Sequence, residues 1–107
     1  MATIKLHVDQ VHIDAATKLR DEATVRLSDG RMGYNVTYEA VSHCPLALAF
    51  KAQYPSCYVE VTRHWWETGR EYGPLSKRAQ KMVRDFDARR PVKPASFLLT
   101  VSRTRYA

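Results

Sequence analysis

The sequence predicts an α+β fold, a mainly antiparallel sheet with two helices on one face. Period-2 alternation of apolar residues recurs near both ends and in the middle of the chain. Ser42-His43-Cys44-Pro45 marks one helix start, and apolar residues recur at helical spacing between Leu75 and Phe86. With 107 residues, 45% of them apolar, the chain is long enough for one core, so residues 1–107 are expected to form a single domain.

The elements follow in order. Ile4, Leu6 and Val8 alternate with Lys5, His7 and Asp9, which predicts a first, half-buried strand. Gln10 to Arg20 mixes Val11, Ile13, Ala15, Ala16 and Leu19 with polar residues and admits either a short helical turn or a plain connection. Around residues 23–38, two β-rich runs flank Ser28-Asp29-Gly30-Arg31, and Asp-Gly between such runs is a hairpin signal. Ser42 or Cys44 can cap the next helix, with Pro45 in its first turn. The run from Cys44 to Phe50 is apolar nearly all round, so this helix is expected at the centre of the core. Tyr54-Pro55 ends it.

Cys57 to Arg63 alternates again, and after Trp65-Trp66 the Glu67-Thr68-Gly69-Arg70 turn allows Arg70-Glu71-Tyr72 to return as a second hairpin, broken by Gly73-Pro74. Leu75, Ala79, Met82, Val83 and Phe86 then form one face of an amphipathic helix, with Ser76 as cap and Leu75 as staple. Arg90-Pro91 stops it, and Phe97, Leu99 and Val101 define a closing strand. With the first hairpin set aside, the order is β-α-β-β-α-β. That is the order of a ferredoxin-like sandwich, although order leaves strand adjacency open.

Composition excludes several classes. The apolar content is too high for a disordered tail, no stretch approaches a membrane span, and the N-terminus lacks the pattern of a secretory signal. Cys44 and Cys57 are too few for a disulfide framework and are expected to be reduced core residues. The net charge of +6 is unevenly placed. Residues 1–53 carry six Lys/Arg and six Asp/Glu, whereas residues 54–107 carry eleven and five. Such a basic half favours acidic partners without naming one.

Chemistry-bearing constellations are sparse. His7, His12, His43, His64, Cys44 and Cys57 form no Cys-x-x-Cys or His-x-x-x-His pair, so no metal site is expected. Cys44 at a helix start beside His43 has the setting of an activated thiol, but the apolar run after it argues for a buried, inert one. Asp85 and Asp87 do not face each other on a helix. No catalytic residue and no cofactor is therefore expected.

Two surface features remain. Lys77, Lys81 and Arg84, with Arg78 adjacent, form a positive stripe opposite the apolar one; this suits phosphates or acidic proteins, or is an ordinary solvated face. In His64-Trp65-Trp66, consecutive strand residues point to opposite faces, so one tryptophan is expected in the core and the other outside. Arg63, Trp65, Trp66, Arg70 and Tyr72 are thus candidates for a protein interface.

His12-Ile13-Asp14, the Cys44-Pro45-Leu46-Ala47-Leu48-Ala49 helix start and the Phe86-Asp87-Ala88-Arg89-Arg90-Pro91-Val92-Lys93-Pro94-Ala95-Ser96-Phe97 segment resemble a group of small proteins encoded by phages and prophages of actinobacteria. The resemblance spans most of the chain except residues 20–41. It implies a role rather than a reaction: an accessory protein in the host cytoplasm that binds a host macromolecule, a host protein before nucleic acid. A nucleic-acid-binding domain and a homodimer or larger homo-oligomer are the alternatives.

Overall fold

The computed structural model describes residues 2–35, 39–55 and 58–104, and among them the chain is α+β. Strand β1 (Thr3–Val8) leads into helix α1 (Gln10–Ala23), the hairpin β2 (Thr24–Arg26) and β3 (Met32–Tyr34), and a single helical turn, α2 (Ala40–His43). The buried helix α3 (Pro45–Gln53) is followed by three strands, β4 (Val59–Val61), β5 (Trp65–Thr68) and β6 (Glu71–Pro74). Helix α4 (Lys77–Asp87) and strands β7 (Ala95–Thr100) and β8 (Arg103–Thr104) complete the order. Every strand pair described is antiparallel. The hairpin expected at residues 23–38 forms around Asp29-Gly30; its residues 36–38 lie outside the described residues, as does Cys57.

Alternation decides which side of the sheet is closed. Across β1 and β7, Ile4, Leu6 and Val8 stand opposite Leu99, Phe97 and Ala95 and face the helices, while Lys5, His7 and Leu98 face outward. Beyond Thr100 the chain changes partner. The Val101 N–H donates to the Ala2 carbonyl (2.9 Å), the Ser102 N–H donates to the Tyr72 carbonyl (2.9 Å), and β8 pairs with β6. This hand-over connects the β1–β7 pair to the four strands β4-β5-β6-β8. It demands a close backbone approach at Gly73, where a Cβ would run into the Thr100 carbonyl oxygen and lie 3.0 Å from the Trp66 Nε1.

The connections differ from those of a ferredoxin-like sandwich. The Thr62 hydroxyl accepts from the His64 and Trp65 amides, and the Thr62 N–H donates to the Trp65 carbonyl. The segment read as one strand therefore turns and becomes β4 and β5, so three strands rather than two separate α3 from α4. Among the described residues β1 pairs only with β7, whereas a ferredoxin-like sheet holds its first strand inside.

Helices α3 and α4 start where their caps place them. The Cys44 Sγ accepts from the Ala47 amide and Pro45 fills the first turn of α3; the Ser76 hydroxyl accepts from the Ala79 amide at the start of α4. Phe50 of α3 stacks on Trp66 with centroids 5.2 Å apart and planes at 20°. Residues 10–20, left open between turn and connection, belong to the 14-residue helix α1. The Asp9 amide donates to the His12 Nδ1 at its start, and Ile13 and Ala16 bury its inner face.

The C-terminal ends of α1 and α4 are tied together. The Arg20 guanidinium donates to the Phe86 carbonyl (2.8 Å) and lies 4.6 Å over the Phe86 ring. Arg89 takes a left-handed conformation (φ 61°) just past α4, a conformation that costs a side-chain-bearing residue about 1 kcal/mol. Its side chain offsets that cost by donating to the Thr24 hydroxyl (2.7 Å) and pairing with Asp21 (3.3 Å).

Two glycines separate close approach from turn conformation. Gly73→Ala is expected to lower stability by about 3 kcal/mol, because the added methyl meets backbone. Gly30→Ala, at φ 86° with nothing within 4 Å, is expected to cost about 1 kcal/mol. Urea unfolding of both variants checks the order, and equal losses would contradict the hand-over at Gly73.

Candidate functional site: the Trp65 sheet face and the α4 groove

Residues Trp65, Glu67 and Tyr72 share the side of the sheet opposite the helices. Register places Trp65 across from Pro74 and Glu67 across from Tyr72. Trp65 is 47% exposed, its ring 6.0 Å from that of Tyr72 with planes at 49°. With Glu67 these rings line a shallow recess of about 240 Å3. Trp66, one residue on, points the other way and is 1% exposed. It is therefore a core residue, and its place among the interface candidates is corrected.

The two arginines expected beside Trp65 lie elsewhere. Arg63 sits in the β4–β5 turn, where its charge acts on Asp87 at the end of α4. Arg70 lies in the β5–β6 turn, at the far end of that hairpin from Trp65. The register brings another charge instead: Glu60 lies directly opposite Glu67. The Tyr58 hydroxyl donates to Glu60. That bond, with the negative charge of Glu60, Glu67 and Glu39, pushes the Tyr58 phenol up to about 12. Glu60 and Glu67 are not among the sequence candidates, although alternation places Glu60 on the Tyr58 side of its strand.

On α4, Lys77, Arg78, Lys81 and Arg84 are all exposed, opposite the buried Ala79, Met82, Val83 and Phe86. They are not equivalent. Lys81 pairs with Asp85 (2.6 Å), which also takes Arg90 (2.8 Å), and these two cations hold the Asp85 carboxyl below the usual carboxylate range. Arg78 holds its guanidinium 5.6 Å over the Phe97 ring. Between α4 and residues 91–95 runs a groove of about 290 Å3, with Met82, Val92 and Phe97 as floor and Arg78, Lys81 and Lys93 as rim. Lys81 and Asp85 are an i,i+4 pair, and the groove adds Lys93 to the α4 candidates.

Cys44 lines a hollow of about 230 Å3 with Val41, Val61, Arg63, Val83 and Asp87. Burial pushes its thiol up to about 11, against the smaller lowering effect of the Ala47 and Leu46 amides. At neutral pH the group is a protonated thiol, a poor nucleophile. Burial also raises Asp87, opposed by Arg63 and Arg20. Among the described residues no group of three or more His, Cys, Asp and Glu side chains is placed to hold a metal ion, and no helix is long and apolar enough to cross a membrane.

No family model matches the chain, and neither a curated protein nor a solved structure is significantly similar to it.

The Cys44 thiol gives alkaline stability a definite sign. Its folded pKa, about 11, lies above the ordinary value of 9.0, so its contribution is complete below pH 9 and is lost as pH rises toward 11. Between about pH 8 and about pH 10.5 the wild-type chain is expected to lose more stability in urea than Cys44→Ala does. Equal losses would contradict a buried neutral thiol.

Proposed function

We propose that the chain is a non-enzymatic binding protein that captures a partner protein on the sheet face opposite its helices, with Trp65 and Tyr72 at the centre of the contact. The half-exposed Trp65 ring, braced by Tyr72, is the observation that carries this reading. Such rings supply much of the energy of protein interfaces when they move from water into a partner's pocket. Their position favours that use. Strand β5 is flanked by β4 and β6, so the platform is ordered before binding and little conformational entropy is lost on contact. Glu60 and Glu67 supply polar groups beside the rings, in keeping with the polar surround of an interface.

The resemblance to actinobacterial-phage proteins supports a host protein as the partner and the host cytoplasm as the place of action. The basic stripe on α4 lies on the other side of the sheet and takes no part in this contact.

Tagged full-length chain incubated with nuclease-treated actinobacterial lysate and washed at high salt is expected to retain one host protein. Trp65→Ala and Tyr72→Ala are each expected to weaken that capture by about tenfold or more, as for truncation of a central interface residue. Their fold is expected to remain intact, because neither ring is buried in the core. Undiminished capture by the double variant, or recovery of the chain alone, would overturn the reading.

A further inference from the structure

The groove beside α4 has chemistry unlike that of the sheet face. Its rim carries Arg78, Lys81 and Lys93, and the carboxylate within it, Asp85, already holds Lys81 and Arg90. Arg78, Lys93, and the flanking Lys77 and Arg84 have no ion-pair partner among the described residues. The groove is therefore a concave region of net positive charge with an apolar floor, reached from one helix face. Lys77, Lys81 and Arg84 recur at i, i+4 and i+7, which extends the positive charge along the helix for about 10 Å. Repeated cations on one line match a ligand that carries one negative charge per repeat.

We propose that this groove and the adjoining α4 stripe bind single-stranded nucleic acid by its phosphates. Arg78 is the anchor. Its guanidinium is held over Phe97, which leaves its outer face for a base to stack on and its N–H groups for a phosphate. Lys93, Lys77 and Arg84 meet neighbouring phosphates, and the half-buried Val92 at the groove wall receives the apolar part of a nucleotide. A recess admits a flexible single strand more readily than the convex backbone of a duplex. An acidic peptide offers carboxylates but no regular planar base for the Arg78 face.

Fluorescence anisotropy of the full chain with a labelled single strand of about 12 nucleotides tests this directly. Four phosphate-contacting cations predict that log affinity falls with log salt at a slope of about −3. Arg78→Glu combined with Lys93→Glu is expected to weaken binding by at least about tenfold. Lys18→Glu combined with Arg31→Glu changes net charge equally but lies on α1 and in the first hairpin, and is expected to change affinity by less than about twofold. A duplex of the same sequence is expected to bind more weakly, and polyglutamate to compete poorly. Absence of binding at low salt, equal loss in the two double variants, equal binding of the duplex, or displacement by polyglutamate as effective as by unlabelled strand would overturn the proposal. Trp65→Ala is expected to leave this binding unchanged, so the groove stands or falls separately from the sheet-face reading.

Discussion

The close approach of β6 to the C-terminal strand is the constraint on which the rest of the structure depends. Gly73 lies against the Thr100 carbonyl, and there the chain stops pairing with β1 and starts pairing with β6. That hand-over ties the two-stranded sheet β1-β7 to the four-stranded sheet β4-β5-β6-β8 through one continuous run of chain. With it, Leu6, Phe97, Val61 and Trp66 contribute to one core under α3. Trp66 shows how tightly the pieces are linked: its indole is held between Phe50 on the helix side and the Gly73 backbone at the strand.

Closing one side of the sheet defines the other. A two-layer domain of this size has enough helix to cover a single face, so the alternate residues of β4, β5 and β6 are left outside. The face opposite the helices collects Trp65, Tyr72, Glu60 and Glu67, and the cations of α4 that lack an ion-pair partner among the described residues lie on the helix side. The net charge of +6 thus describes neither surface: one is aromatic with carboxylates in its register, the other strongly basic. Two chemically distinct surfaces on one small domain are consistent with two separate contacts.

What the sequence disclosed follows from how strongly each element buries its pattern. Helix α4 was legible because Ala79, Met82, Val83 and Phe86 are all buried and its polar positions are all charged or amide. Helix α3 was legible from Cys44-Pro45, whose side chains make the cap. Helix α1 was left open because it buries only Ile13 and Ala16, while Val11 and Leu19 are exposed and blur the period. The turn that divides β4 from β5 rests on the Thr62 hydroxyl, a local bond with no glycine or proline to announce it. Alternation foretold that one tryptophan would be buried, but not which one. That was decided by Val59 and Val61 facing the core, since cross-strand register then aligns Val61 with Trp66. Arg63 and Arg70 looked adjacent to the rings in sequence; turns at the two ends of β5 carry them apart.

The opposite orientation of the two tryptophans is the claim on which both the core and the proposed interface rest. Acrylamide quenching of the single-tryptophan variants Trp66→Phe and Trp65→Phe measures it directly. Red-shifted emission and ready quenching are expected from Trp65, and blue-shifted emission from Trp66 that resists quenching until the chain is unfolded. Similar emission and quenching from the two rings in the folded protein would contradict the two-sided sheet.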